Sequence, residues 1–299
     1  MQVSLRPYNP EPRYGEDYLR LRGFLLELGD VTFPFGRWDW MISHSYLDAG
    51  GLGRIGMWFH DDGIVAVATY DTAIDGKCFF LVRPGYSFLY PDMIAHAEQH
   101  LSGDGGAKIL IGDGDTVFQE AAVAAGYRAS QDKDCDAVYM IDAASIRYDL
   151  PPGFRVTSMK ETFDPYQYGR VLWKGFDHEI DGEGPFLPTP ERLAVLEREF
   201  QRPNVNLELK IAVVAPDGDF ASYSGMWHDH ASPDVLVEPV ATDPAYRGMG
   251  LARAAVLEGI RRCGLLGAQR AYVGSSQQFY YNIGFRPCRT STFWTRKGT

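Results

Sequence analysis

Residues 247–252 contain the residue types that bind a phosphate. Gly248 and Gly250 stand just before a helical pattern and bring backbone without side chains to the helix N-terminus. The first N–H groups of a helix have no partner within it, and the helix dipole adds to their attraction for an anion. Arg247 adds a guanidinium group that can bind phosphate through two hydrogen bonds. We therefore predict an anion site here.

Two common phosphate motifs do not match this segment. It lacks the Gly-Lys-Ser/Thr ending of a nucleotide P-loop and the complete Gly-x-Gly-x-x-Gly of a dinucleotide fold. It does contain Arg-x-x-Gly-x-Ala, from Arg247 to Ala252. This pattern resembles the loop that binds the pyrophosphate of acyl-CoA in the GNAT superfamily of acetyl-CoA-dependent N-acetyltransferases.

The resemblance implies that acetyl-CoA is the acyl-donor cosubstrate. Its phosphates would be held by the loop and the start of the helix, and its pantetheine arm would lie beside the end of the preceding strand. Pro239 and Pro244 are expected to hold that strand away from its neighbour. The cofactor-binding residues predicted in this way are Val240, Ala241, Thr242, Arg247, Gly248, Met249, Gly250, Leu251 and Ala252.

Tyr280 is the predicted proton donor. It stands four residues before Gly284-Phe285, and the resemblance implies that a tyrosine at this position faces the thioester sulfur. A phenol with an ordinary pKa of about 10 is protonated at neutral pH, so it can donate a proton to a departing thiolate. The asparagine usual in the family upstream of this tyrosine is absent, and Ser275 or Ser276 takes its place. A packing role for Tyr280 stays open.

Glu238, on the predicted central strand, is the first candidate for the general base that deprotonates an amine. His228 is the second candidate and water the third, and Glu238 as a surface charge is an alternative. The His228-Asp229-His230 pair has no third ligand at a convincing spacing, so we predict no metal site. The acidic segment 177–183 can attract an ammonium group or be a solvated run of charge.

Composition limits the class of protein. The chain has 299 residues, 45% hydrophobic and 23% charged, which is typical of a soluble globular protein with room for two domains. The net charge of −10 argues against nucleic-acid or anionic-membrane partners and favours cationic ones such as amines. The four cysteines form no Cys-x-x-Cys pair, and no signal pattern or membrane span is present. We expect a cytoplasmic protein.

The order of predicted helices and strands occurs twice. We predict an α/β (α+β) fold of two tandem GNAT-like domains, each a mixed, mostly antiparallel sheet flanked by helices. The domains span residues 1–148 and 154–299, joined by a Pro- and Gly-rich linker at 149–153. Residues 33–40 are predicted to be an aromatic loop over the first core. Segments that correspond in order and at nearly constant offset are Asp62-Gly63 with Asp217-Gly218, Pro84-x-Tyr86 with Pro244-x-Tyr246, and Gly126-Tyr127-Arg128 with Gly284-Phe285-Arg286.

Only the second half carries the anion motif. After Tyr86 the first half has residues 87–92, which lack the arginine and both glycines that follow Tyr246. We therefore predict one competent site, in the C-terminal domain, that transfers an acetyl group to a primary amine of a small molecule by direct attack in a ternary complex. A non-catalytic acetyl-CoA sensor and a mycothiol-synthase-like acetyltransferase are the alternatives. The acceptor and a homodimeric state stay open.

Overall fold

The computed structural model describes residues 2–296. Its main helices and strands, in chain order, are β1 (Val3–Pro7), α1 (Glu16–Leu28), α2 (Phe35–Ser43), β2 (Gly56–His60), β3 (Gly63–Thr69), β4 (Lys77–Val82), α3 (Tyr90–His100), β5 (Lys108–Gly112), α4 (Thr116–Ala124), β6 (Tyr127–Met140), β7 (Arg155–Ser158), α5 (Pro165–Gly175), α6 (Pro190–Phe200), β8 (Lys210–Val214), β9 (Phe220–His228), β10 (Asp234–Thr242), α7 (Leu251–Leu265), β11 (Arg270–Val273), α8 (Gln278–Asn282) and β12 (Arg286–Arg296).

The chain divides into two compact units. The first contains the residues up to Ala137, residues 274–276 and those from Pro287 onward; the second contains residues 138–273 and 277–286. The division differs from the predicted boundaries, because residues 149–153 lie inside the second unit and β12 belongs to the first. The physical reason is that β12 pairs with β5, antiparallel from Ser291 to Thr295. Local sequence patterns do not reveal a pairing between segments so far apart.

In the first unit, β1, β2, β3, β4, β5 and β12 are neighbours in that order. All these pairs are antiparallel except β4 with β5. The core of this unit contains Trp38, which is fully buried and meets Tyr8 edge to face with ring centroids 5.5 Å apart. A mixed, mostly antiparallel sheet with helices against it is the predicted architecture.

The predicted loop at residues 33–40 is wrong, because most of this segment is α2. Pro34 stands at the N-cap, where a missing N–H removes no helical hydrogen bond. The aromatic residues that suggested a plug recur at helical spacing, and Phe35, Trp38 and Ile42 are buried on one side of the helix.

In the second unit, β11, β10, β9, β8 and β7 are neighbours in that order, and only β10 with β11 is parallel. Alternate residues of a strand point to opposite faces of its sheet. Ala212 of β8 packs in a cluster with residues of α5 and α6, whereas Ile211 packs with Ala254 and Ala255 of α7. Helices α5 and α6 therefore cover one face and α7 covers the other.

Strand β10 is irregular in its middle. Its register with β9 shifts between Val237 and Val240, and its ladder with β11 ends at Leu236. A Cβ atom on Gly225 of β9 would overlap the Glu238 carbonyl oxygen, so this glycine makes room for the bulge. The Trp227 indole N–H donates to the same oxygen over 2.9 Å. The second half of β10 thus leaves the ladder with β11.

Gly225→Ala should destabilise the second unit, because the added methyl group collides with the carbonyl of the bulge. Overpacking of this kind typically costs about 1–3 kcal/mol of unfolding free energy. Urea unfolding followed by circular dichroism measures the change. Gly23→Ala is the control, since Gly23 lies in α1 with open space around it and should be neutral or slightly stabilising. Equal stability of Gly225→Ala and the wild type would contradict the proposed close approach.

Candidate active site

The second unit contains a cavity of about 660 Å³ between the end of α5, the end of β10, the start of α7 and α8. Its wall consists of Gly175, Phe176, Asp177, Val240, Ala241, Thr242, Tyr246, Arg247, Gly248, Gly250, Leu251, Ala252, Arg253, Gln277, Phe279, Tyr280, Asn282 and Ile283.

The start of α7 has the backbone of an anion site. Gly248 and Gly250 adopt left-handed conformations with φ of 78° and 79°, which residues with a side chain rarely adopt. A Cβ atom on either glycine would meet nothing within 4 Å, so the backbone is open there. Gly250 is the N-cap of α7 and makes no side-chain capping bond. A phosphate therefore fits these residues as a partner for the first N–H groups of the helix.

Arg247 connects the anion loop to the end of α5. Its Nη2 donates to Asp177 Oδ1 over 2.6 Å and to the Gly175 carbonyl over 3.0 Å. The Arg247 and Asp177 side chains are nearly half exposed, at 45% and 41%. A guanidinium group has five N–H donors, so these two bonds leave others for a phosphate.

Asp243 fixes the turn between β10 and α7. It is buried, and its Oδ1 accepts from the Ala245 N–H over 3.0 Å. Its Oδ2 lies 3.2 Å from Lys174 Nζ and 3.4 Å from Arg170 Nη2, two ion pairs that lack hydrogen-bond geometry. Because both cations are on α5, one carboxylate joins that helix to the end of β10.

Gly175, the last residue of α5, is in close contact with the strand. A Cβ atom there would lie 2.7 Å from the Ala241 side chain and from the Thr242 nitrogen. The absence of a side chain therefore lets α5 end against the part of β10 that lines the cavity.

Tyr280 is buried, with 7% of its surface exposed, and its ring meets Phe279 and Phe285 edge to face. Burial raises the pKa of Tyr280, and the negative charge of Glu238 raises it further. Both effects favour the neutral phenol. Tyr280 is thus protonated over the whole physiological pH range and can act as an acid.

Glu238 lies in the bulge of β10 with its side chain half-buried and its carbonyl held by Trp227. It is not among the residues that line the cavity, and neither is Met249, whose side chain is 39% exposed. The other predicted cofactor-binding residues and Tyr280 all line it. The charge effect on the pKa of Tyr280 shows that the two predicted catalytic groups are close enough to interact.

His228 lies elsewhere on the sheet. It pairs with Val235 near the start of β10, its Nδ1 lies 3.3 Å from the Asp234 carbonyl, and it does not line the cavity. Within residues 2–296, no group of three or more His, Cys, Asp or Glu side chains is arranged to hold a metal ion. In the acidic segment, His178 Nδ1 bonds Glu183 Oε1 over 2.7 Å.

Sequence reasoning missed several cavity residues. Gly175 and Phe176 are at the end of α5, far from the motif in sequence, and nothing local marked them. Arg253 is different, because it follows the motif directly and is a cation in the first turn of the same helix. A cation at this position in the sequence is a signal from which Arg253 could have been predicted to line the site.

Comparison with known proteins identifies this region. Residues 178–285 match the model of the acetyltransferase (GNAT) family. Residues 178–285 form a GNAT domain. The match includes the glycine loop, α7 and Tyr280, so the predicted resemblance is confirmed for the part of the chain that carries the motifs. No curated protein sequence matches the chain.

Solved structures show a similar fold over nearly the whole chain. A GCN5-related N-acetyltransferase from Sphaerobacter thermophilus is 14% identical, with 98% of this chain and 94% of that chain covered and a TM-score of 0.56. A tandem GNAT protein from the clavulanic acid biosynthesis pathway is 13% identical, with 98% of each chain covered and a TM-score of 0.58. The glucosamine N-acetyltransferase region of a fungal multi-domain GH3 β-N-acetylglucosaminidase is 11% identical, covering 98% of this chain and 38% of that one, with a TM-score of 0.53.

These likenesses confirm the predicted tandem GNAT fold. At such identities they show the fold alone. No helix within residues 2–296 is both long enough and apolar enough to cross a membrane.

Asp243→Ala should destabilise the GNAT domain, because it leaves two partly buried cations without this carboxylate. Arg170 keeps its shorter ion pair with Asp219, at 2.6 Å, so the expected loss of unfolding free energy is about 1–3 kcal/mol. Urea unfolding measures the change. Asp217→Ala is the control, since Asp217 is exposed and accepts bonds only at the surface, from the Tyr246 hydroxyl and the Asp219 N–H. A similar small effect of both changes would show that Asp243 does not hold α5 to β10.

Proposed function

We propose that the GNAT domain is an acetyl-CoA-dependent N-acetyltransferase that acetylates a primary amine of a small molecule. One observation carries the proposal: a single cavity has an open helix N-terminus, the end of β10 beyond its ladder with β11, and a protonated tyrosine on its wall. The family match supports acetyl transfer as the general reaction.

The cavity wall suits the parts of the donor. Acetyl-CoA supplies the acetyl group as a thioester. The backbone of residues 248–252 and the Arg247 guanidinium hold the pyrophosphate through charge-assisted hydrogen bonds. Val240, Ala241 and Thr242 lie beyond the point where the ladder with β11 ends, so this part of β10 is available to the amide groups of the pantetheine arm.

Acetyl transfer to an amine needs a base at the nitrogen and an acid at the sulfur. The amine nitrogen attacks the thioester carbon directly, within a ternary complex, and the carbon–sulfur bond breaks. Glu238 takes the amine proton, itself or through a water molecule, with water alone as the alternative, because His228 does not line the cavity. Tyr280 gives its phenol proton to the sulfur. Backbone N–H groups of β10 polarise the carbonyl oxygen.

The protonation of Tyr280 suits its role as the acid. Burial raises the pKa of Tyr280, and the carboxylate of Glu238 raises it further, so the phenol is protonated before a thiolate forms. A non-catalytic acetyl-CoA sensor would need the loop but neither of these groups. The position of Tyr280 on the cavity wall favours the enzyme.

Arg247→Ala should weaken acetyl-CoA binding about tenfold, because it removes charge-assisted hydrogen bonds to a phosphate. Asp177→Ala should instead strengthen binding, since it frees the guanidinium from the 2.6 Å ion pair and removes a negative charge from the cavity wall. Isothermal titration calorimetry measures both affinities. If Asp177→Ala weakens binding as much as Arg247→Ala, the pair acts as one structural unit and the guanidinium does not bind phosphate.

Tyr280→Phe should lower kcat by about 100-fold while acetyl-CoA affinity changes little, because only the proton donor is lost. Release of free thiol is followed over a panel of amines, with calorimetry for the affinity. In the wild type, activity should not fall with rising pH through titration of Tyr280 below about pH 10, since its pKa is raised above that of a free phenol.

Glu238→Gln is the matched comparison, because it removes the charge and keeps the size. It should lower the rate at neutral pH and leave acetyl-CoA affinity in place. Tight acetyl-CoA binding by the wild type without turnover on any amine of the panel would overturn the proposed activity and leave the sensor.

A further inference from the structure

Arg253 is a cation on the cavity wall without a carboxylate partner. It is exposed, and its one hydrogen bond is from Nη2 to the Arg147 carbonyl over 3.1 Å. Among the described residues 2–296, no acidic side chain lies within ion-pair distance of it. The other arginine of the cavity wall does have such a partner, since Arg247 pairs with Asp177.

Acidic side chains outnumber basic ones in this chain. The chain has a net charge of −10, with 39 acidic residues against 29 basic ones, so carboxylates are plentiful. Arg147, on which Arg253 rests, also donates only to carbonyl groups, those of Ala144 and Ile146. An exposed arginine held by a carbonyl, with no anion beside it, is arranged to receive an anion from solution.

The two arginines of the cavity wall are attached to different parts of the fold. Arg247 is directed to the end of α5 by its bonds to Gly175 and Asp177. Arg253, in the first turn of α7, is directed to the segment before β7 by its bond to Arg147. Two cations held on separate segments can bind two separate anionic groups.

The donor of the proposed reaction has two such groups. CoA contains a pyrophosphate and, apart from it, a phosphate on the 3′ oxygen of the ribose. We propose that Arg253 binds this 3′-phosphate, so that the enzyme distinguishes CoA from 3′-dephospho-CoA. The inference rests on the proposed function, because it assigns the pyrophosphate to Arg247 and the start of α7. One bond to Arg147 leaves Arg253 enough donors to bind a phosphate through two nitrogens.

The test is a comparison of two ligands by isothermal titration calorimetry. The wild-type chain should bind acetyl-CoA about tenfold or more tightly than acetyl-3′-dephospho-CoA, which lacks only the third phosphate. Arg253→Ala should reduce that ratio to near one by weakening acetyl-CoA alone. Arg253→Lys should keep part of the ratio, since it retains the charge and loses the two-nitrogen geometry.

Arg147→Ala is the matched control. It removes an exposed charge of the same sign, does not change the cavity wall, and keeps the backbone carbonyl that Arg253 uses. The ratio of affinities should stay as in the wild type. Circular dichroism checks that each variant is folded.

Three results would overturn the inference. The first is an equal loss of affinity for both ligands in Arg253→Ala, which would place the guanidinium on the pyrophosphate. The second is a wild type that binds both ligands equally, and the third is a ratio lost in Arg147→Ala but kept in Arg253→Ala. In each case acetyl-CoA binding, and with it the proposed function, stands. A wild type that binds neither ligand would overturn both.

Discussion

The candidate site depends on the place where the Glu238 carbonyl lies against Gly225. A side chain at position 225 would occupy the volume of that oxygen, and the Trp227 indole provides the hydrogen bond that a buried carbonyl needs. The bulge built on this contact shifts the register of β10 with β9. The ladder with β11 stops at Leu236, and the rest of β10 becomes one wall of the cavity. Strand β11 itself ends at Val273, so no strand lies beside the second half of β10 on that side.

Charge is distributed unequally around the cavity. Arg247 and Arg253 are on the wall at the start of α7, whereas the carboxylate of Glu238 acts on Tyr280. The first group suits a polyphosphate, and the second suits the exchange of protons between an amine and a thiolate. Asp243 stabilises the cavity wall, because its ion pairs with Arg170 and Lys174 hold α5 against the turn that leads from β10 to the glycine loop. The groups that suit phosphates are therefore at the start of α7, and those that suit proton transfer are on β10 and α8.

The parts of the site that could be predicted from the sequence are those that require a particular residue type for their backbone conformation. The left-handed Gly248 and Gly250 require glycine, so their positions are visible as residue types. The contribution of Gly175 and Asp177 was not predictable, because it arises from the packing of α5 on β10. The same reason explains the pairing of β12 with β5. The predicted loop at residues 33–40 is mostly α2, because Pro34 stands at the N-cap, where proline does not interrupt a helix.

The first unit has a different backbone at the position that corresponds to the start of α7. Its α3 follows a β4 strand as α7 follows β10, but the residue before α3, Leu89, is in a right-handed helical conformation and is buried. Tyr90, the first residue of α3, stacks on Phe118 with ring centroids 4.1 Å apart. Side chains thus occupy the start of α3, where glycines leave the backbone open at the start of α7. A sheet of this kind can be stabilised with side chains or with glycines before the helix, since both arrangements bury apolar surface. Only backbone without side chains can approach a phosphate closely. The fold tolerates the loss of those glycines, and the anion site does not.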